Sequence, residues 1–246
     1  MSDAFERYQR RFTVLPQSLG VHHGQSASLA VVVPIYDEPE PTQTLDLLSQ
    51  CAMPQSGASV FAVVNGPQDL DPATRARIDA NWAAVSAFAD AVRHPGLTVM
   101  ALDARGLPSK RAGVGVARKI GMDAAVARMA LRGDEPEGVI ACLDADCQVE
   151  KNYLEALDGW RCSGADAGAA LHFEHPLEHG ESSFLKRAIA EYELGLRYYV
   201  LGMEYARLHF AYHTVGSSMA VRAGAYLSVG GMNQRKAGED FYFLHK

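Results

Sequence analysis

Short apolar runs alternate with longer helical patterns through the first 150 residues of this chain, and that alternation restricts its fold more than any other feature. The first run, Leu29-Ala30-Val31-Val32-Val33-Pro34-Ile35, contains no polar residue. It reads as a strand buried on both faces, as in a parallel sheet. Pro34 stands near its end, where a missing N–H does little harm. Further strands are expected at 59–64, 97–102 and 139–143, with helices at 42–51, 71–92 and 110–132 between them. Asn65-Gly66-Pro67 reads as a turn that ends the second strand. Asp71-Pro72 reads as an N-cap followed by Pro at the first helical position. The order βαβαβαβ predicts an open, mostly parallel, twisted α/β sheet flanked by helices. Ligands of such sheets bind outside the carboxyl ends of the strands. The polar residues at those ends are Tyr36, Asp37 and Glu38, then Asn65, then Asp144 and Asp146.

The second half reads differently. A short helix is expected at 151–160, an edge strand at 165–172 and a long helix or helix pair at 182–210. A strand at 214–221 and a short helix from Arg222 follow. The last residues, 240–246, look like the start of a helix, which leaves open whether further residues follow Lys246. No internal repeat is present, so one domain spanning 1–246 is expected.

Composition narrows the partners. Lys+Arg 23 against Asp+Glu 29 gives a net charge of −6, with no basic run, which argues against nucleic acid as a ligand. No stretch of 18 apolar residues exists, and the polar N-terminus lacks a signal-peptide core. A cytoplasmic protein with reduced thiols is expected, since Cys51, Cys142, Cys147 and Cys162 form no C-x-x-C pair. Peripheral membrane contact and homo-oligomerisation stay open.

The chemistry concentrates in two places. Val139-Ile140-Ala141-Cys142-Leu143 runs straight into Asp144-Ala145-Asp146. In an extended chain, side chains at i and i+2 point to the same side, so the two carboxylates repel each other. A hard divalent cation, Mg²⁺ or Mn²⁺, relieves that repulsion and suits a diphosphate ligand. A turn-initiating Asp-x-Asp is the other reading. The second place is Gly230-Gly231-Met232 followed by Ala237-Gly238-Glu239-Asp240. Its acid pair is either functional or a negatively biased helix start.

A strand-Pro-x-Tyr-Asp-Glu start, a Leu-Asp-Ala-Asp strand end and a Gly-Gly-Met…Gly-Glu-Asp turn occur in that order. Together they resemble the family 2 glycosyltransferases of GT-A fold, over about Leu29 to Phe243. The resemblance implies a single GT-A-type domain. Residues 29–150 would form its nucleotide-sugar-binding half and 151–246 its acceptor-facing half. It implies inverting transfer of a sugar from a nucleoside-diphosphate donor, with UDP expected, to the hydroxyl of an unidentified glycan, lipid-linked or small-molecule acceptor. Pro34, Tyr36 and Glu38 match the motif bordering the nucleotide, with Asp37 where Asn is commoner. Asn65 stands where the family usually has an Asp that contacts the base. Arg118 belongs to Gly115-Val116-Ala117-Arg118-Lys119-Ile120-Gly121, which resembles a helix start near the diphosphate, with Lys119 in place of Asn. Asp144 and Asp146 match the metal-binding pair, with Asp146 the direct ligand. Asp240 matches the catalytic base, its proton affinity raised by burial or by Glu239. Nucleotidyl transfer, or donor binding without turnover, are the rival readings.

Weaker signals remain. The histidine-dense stretch from His172 to His179 contains Pro176 and reads as a surface loop before a zinc site. An acceptor-contact role is open to it, and His245 is a late candidate metal ligand. Lys110, Arg111, Arg118 and Lys119 surround Gly113-Val114-Gly115, either to bind phosphate or as a solvated basic face. Tyr198, Tyr205 and Tyr212 recur every seven residues. That spacing favours packing in the core or against a partner helix over a sugar platform. Gly216-Ser217-Ser218 resembles the family's small-residue stretch beside the acceptor.

Overall fold

The computed structural model describes residues 2–14, 27–133, 137–164, 166–176, 182–235 and 238–246. Helix α1 (Asp3–Arg11) is followed by β1 (Leu29–Ile35), α2 (Gln43–Ser49), β2 (Ala58–Pro67), α3 (Pro72–Ala91) and β3 (Leu97–Leu107). Then come α4 (Val114–Arg132), β4 (Val139–Cys142), α5 (Tyr153–Ser163), β5 (Gly168–Ala170) and α6 (Ser183–Tyr205). Strand β6 (Met219–Arg222), α7 (Ala223–Ser228) and α8 (Glu239–Leu244) complete the chain. The expected cap is present: Asp71 Oδ1 accepts the N–H groups of Ala73 and Thr74, each at 3.0 Å.

The six strands form one sheet in the order β3-β2-β1-β4-β6-β5. β1 to β4 run parallel, and β6 is antiparallel to both β4 and β5. The strict alternation of a strand explains why the apolar runs are continuous. Val32, Phe61, Val63, Ile140 and Cys142 face α4 and a core that includes Tyr8 of α1 and Tyr226 of α7. Val31, Val33, Val60, Val64 and Ala141 face the opposite core, with Leu45 of α2, Val85 of α3 and Leu154 of α5. Helix α4 lies so close to the sheet that a Cβ at Gly121 would come within 2.3 Å of Val32 Cγ1. The chain passes outward from β1 through β2 to β3, then returns to place β4 on the other side of β1. The order therefore reverses at β1, and a crevice opens there beyond the carboxyl ends.

The sequence reading needs four corrections. β2 continues through Asn65-Gly66-Pro67, pairing Asn65 with Ala104 and Pro67 with Leu107 across an irregularity, so the turn signal marks a bulge and not a strand end. The strand expected at 214–221 is only Met219–Arg222, because its earlier residues are turn and loop. Helix α1 was not foreseen, since its nine residues are mostly polar and bury only Phe5 and Tyr8. The tyrosine heptad is not core packing: Tyr198 is 73% exposed and Tyr205 91%. Of the edge strand expected at 165–172, Gly168–Ala170 is formed, and Ala165 lies outside the described residues. All four cysteines are free, and burial pushes the Cys142 thiol up to about 12. No helix among the described residues is long and apolar enough to cross a membrane.

Candidate functional site

A cleft of about 590 Å³ lies at the strand-order reversal. Pro34, Tyr36 and Glu38 reach it from the end of β1, Asn65 and Pro67 from β2, and Asp144 and Asp146 from the end of β4. Gly113 and Val114 bring in the N-terminus of α4. The parallel sheet thus gathers residues more than 100 positions apart onto one rim.

Each segment is held by groups that point at its backbone. Asn81, 6% exposed on α3, accepts the Glu38 N–H and donates to the Glu38 carbonyl, both at 2.8 Å. Asp37, between the two cleft residues Tyr36 and Glu38, takes the left-handed conformation (φ 50°) that Asp and Asn tolerate best among side-chain-bearing residues. Arg77 of α3 grips its carboxylate with two bonds of 2.7 Å, and so holds that carboxyl below the usual aspartate range. The Thr44 hydroxyl of α2 donates to the Ala145 carbonyl at 2.6 Å and lies 2.8 Å from that of Cys147, which shapes the turn carrying Asp144 and Asp146. Asn65, 2% exposed, donates its amide to the Ile35 carbonyl at 3.0 Å. That bond fixes the amide orientation and leaves its oxygen as an acceptor.

Arg77, Asn81 and Thr44 were not anticipated. Asn81 had a readable signal: it falls between Ile78 and Val85 at helical spacing, a polar residue on the buried stripe of α3. Arg77 and Thr44 gave none, because their partners lie 40 and about 100 positions away.

The electrostatics are acidic in the cleft and cationic beneath it. Burial, then the Asp146 and Asp144 carboxylates, raise the Glu38 carboxyl above its ordinary value. Arg118 of α4 is 4% exposed and is not a cleft-lining residue. Its Nη2 donates to Asp144 Oδ1 at 2.6 Å, and its Nη1 to Glu239 Oε1 at the start of α8. Burial alone would weaken its hold on a proton, but the Asp144 and Glu239 carboxylates outweigh it, and Arg118 stays firmly cationic. For Glu239, 2% exposed, burial dominates and raises the carboxyl despite Arg118. A Cβ on Gly216 would sit 2.2 Å from Arg118 Nη1, so the guanidinium occupies the space that this glycine leaves.

The structure therefore gathers Pro34, Tyr36, Glu38, Asn65, Asp144 and Asp146 on one cleft, and ties Arg118 and Glu239 to it through Asp144. Asp240 follows Glu239 on α8, lies outside the cleft lining and accepts the Phe241 N–H at 2.7 Å. Lys119 is not solvated either. It is 1% exposed and donates to Tyr8 OH at 2.6 Å, in a buried group with Asp123 and Tyr226. Lys110 and Arg111 are exposed, as a solvated face would have them. His245 is wedged against Phe241 and Phe210, away from the cleft lining. His172 and His175 are exposed on a loop; His179 and Ala237 lie outside the described residues.

No family model matches the chain, and no curated protein matches it. Among solved structures, it is similar to Staphylococcus aureus TarS 1-349 in complex with UDP, at 14% identity and a TM-score of 0.53, over 88% of this chain and 53% of that one. It is likewise similar to TarS 1-349 in complex with UDP-GlcNAc, at 14% identity and a TM-score of 0.50, over 88% of this chain and 52% of that one. The chain thus spans about half the length of these solved chains. The open, mostly parallel six-stranded sheet flanked by helices is thus a fold that the chain shares with these solved chains.

Proposed function

We propose that this chain is a metal-assisted glycosyltransferase that takes its sugar from a nucleoside-diphosphate donor, with UDP the expected nucleotide. One observation carries the reading: an acidic cleft at the strand-order reversal, lined by Asn65, Glu38, Asp144 and Asp146, with the N-terminus of α4 opening onto it. The solved chains that share the fold hold UDP and UDP-GlcNAc.

The residues suit such a donor. The Asn65 oxygen can accept from the N3–H of a uracil ring, and Tyr36, 45% exposed, offers an apolar face beside it. The free N–H groups at the start of α4 favour a diphosphate. The donor set also fits Mg²⁺ or Mn²⁺. Asp146 is exposed, and Asp144 retains the oxygen that Arg118 does not use. No group of three or more Asp, Glu, His or Cys among the described residues forms a protein-only cage. A cation held by Asp144 and Asp146 would take its remaining ligands from phosphate and water oxygens. When bound, the ion would supply positive charge against the leaving diphosphate. Glu239 is committed to Arg118, so Asp240 is the carboxylate of that turn assigned to take the proton from the acceptor hydroxyl as it attacks the anomeric carbon, with inversion.

A thermal-shift titration tests this directly. UDP with Mn²⁺ raises the melting temperature, UDP with chelator raises it far less, and Asp146→Ala removes the metal-dependent part. Asp240→Asn retains the shift and loses transfer. If no nucleoside diphosphate stabilises the protein with either cation, the reading is wrong. If binding holds but Asp240→Asn transfers sugar at the wild-type rate, Asp240 is not the base. The absence of a Gly-rich, basic loop directly after β1, where Tyr36-Asp37-Glu38-Pro39 stands, disfavours nucleotidyl transfer.

A further inference from the structure

Arg118 joins two acidic turns that the chain sets far apart in sequence. Its Nη2 donates to Asp144 Oδ1 at 2.6 Å beside the cleft, and its Nη1 donates to Glu239 Oε1 on α8. The side chains of Arg118 and Glu239 are 5% and 3% exposed, whereas that of Asp144 is 37% exposed. Of the three, Asp144 is the one that lines the cleft and can meet a ligand there. Two glycines make room for the group. A Cβ on Gly216 would sit 2.2 Å from Arg118 Nη1, and a Cβ on Gly115 would sit 2.9 Å from Glu239 Cγ. Neither glycine has a positive φ, so the backbone does not require them. Gly115 even stands in the first turn of α4, where glycine is a poor helix former. What both supply is space. Arginine suits the place because its planar fork reaches two carboxylates from different nitrogens, which the point charge of a lysine does less well.

We propose that Glu239, acting through Arg118, sets the affinity of Asp144 for the donor's cation, and that cation binding in turn firms the turn that carries Asp240. The proposal rests on the donor reading above and adds a coupling between its two acidic motifs. The cause is charge sharing. One guanidinium faces two carboxylates, so the three groups together are net negative. Without the Glu239 charge, the guanidinium would be balanced by Asp144 alone, and a cation arriving at Asp144 would meet its repulsion unscreened. Conversely, a divalent cation on the free oxygen of Asp144 draws on that carboxylate's charge, and the guanidinium leans towards Glu239. Coupling between two sites is reciprocal, so whatever Glu239 adds to cation affinity, the cation adds to the hold on α8. That helix is short enough to respond. It has six residues and buries Glu239 and Phe243. Its far end is held by the Tyr212 hydroxyl, which donates to the Leu244 carbonyl at 2.6 Å. Glu239 is thereby a positioning residue, and Asp240 beside it makes no bond to Arg118.

Calorimetric titration with UDP in Mn²⁺ is expected to show Glu239→Gln binding about tenfold more weakly than wild type. Asp240→Asn removes the neighbouring carboxylate and stays within about twofold of wild type, since a charge not bonded to the guanidinium is largely screened. In chelator, wild type and both variants bind UDP equally weakly. Hydrogen exchange on the wild-type protein needs no variant. UDP with Mn²⁺ slows the amides of α8, UDP with chelator does not, and exchange in the exposed helix α6 is unchanged by either. Equal affinity of Glu239→Gln and wild type overturns the proposal. So does equal weakening by Asp240→Asn, which would mark general electrostatics in place of the Arg118 link. Exchange in α8 that ignores Mn²⁺ overturns it even if Glu239→Gln fails to fold. A wild-type protein that binds no nucleoside diphosphate defeats the donor reading itself, and this coupling with it.

Discussion

At the scale of single residues, Arg118 is the hinge between the two acidic motifs. Its buried guanidinium neutralises the half-buried Asp144 at the end of β4 and the buried Glu239 at the start of α8. Removing one partner of such a buried set leaves an uncompensated charge, so Arg118→Met should destabilise by about 3–5 kcal/mol in urea denaturation. Gly216→Ala probes the same group without deleting it. The new methyl should displace the guanidinium, at a cost of about 1–3 kcal/mol, and on the proposed donor reading should lower the affinity for UDP with Mn²⁺, because Asp144 loses its orienting bond. Wild-type stability in Gly216→Ala would mean that Arg118 has room the geometry denies it. From sequence, Arg118 and Lys119 read as two phosphate-seeking or solvated cations. Both are buried, because the residue pattern of α4 gives no sign that α8 and α1 fold back onto it.

At the scale of elements, α3 is more than a cover for the sheet. Its Asn81 and Arg77 hold the segment after β1 by its backbone and by Asp37, and that segment presents Tyr36 and Glu38 to the cleft. Asn81→Ala removes two backbone hydrogen bonds and should cost about 1–3 kcal/mol, with weaker nucleotide binding as the more specific sign. Unchanged affinity for UDP would show that the segment keeps its shape without the clamp. Helices α3 and α4 and strands β1 to β4 were legible because buried parallel strands are continuously apolar and their crossovers have helical period. The limits of the elements were less so. Asn65-Gly66-Pro67 carries every local mark of a turn, yet pairing with β3 keeps it in the sheet. The long apolar pattern of α6 told of a helix, but could not tell whether that helix is covered.

At the scale of the whole molecule, the cleft concentrates acid in a chain that is already negative overall. Glu38 shows the consequence. Its folded proton affinity lies above the ordinary value of 4.5, through burial and through Asp146 and Asp144. Its contribution to stability is therefore fully present below the unfolded value, and is lost as pH rises through the folded one. Glu38→Gln should melt about 1–2 °C above wild type at pH 7, a small gain because the group is partly solvated, and the difference should close below pH ~4. Equal melting at both pH values would mean that the three carboxylates do not sense one another. The amino-acid order alone determined the strand and helix alternation, and with it an open α/β sheet. It also placed Glu38, Asp144 and Asp146 at strand ends, and Asn65 near the carboxyl end of β2, since parallel strands present all their carboxyl ends on one side. Only the tertiary structure decided which charges are buried together, which loops are clamped and which helix face is bare. Those outcomes depend on contacts between residues 40 to 121 positions apart, and no local pattern encodes them.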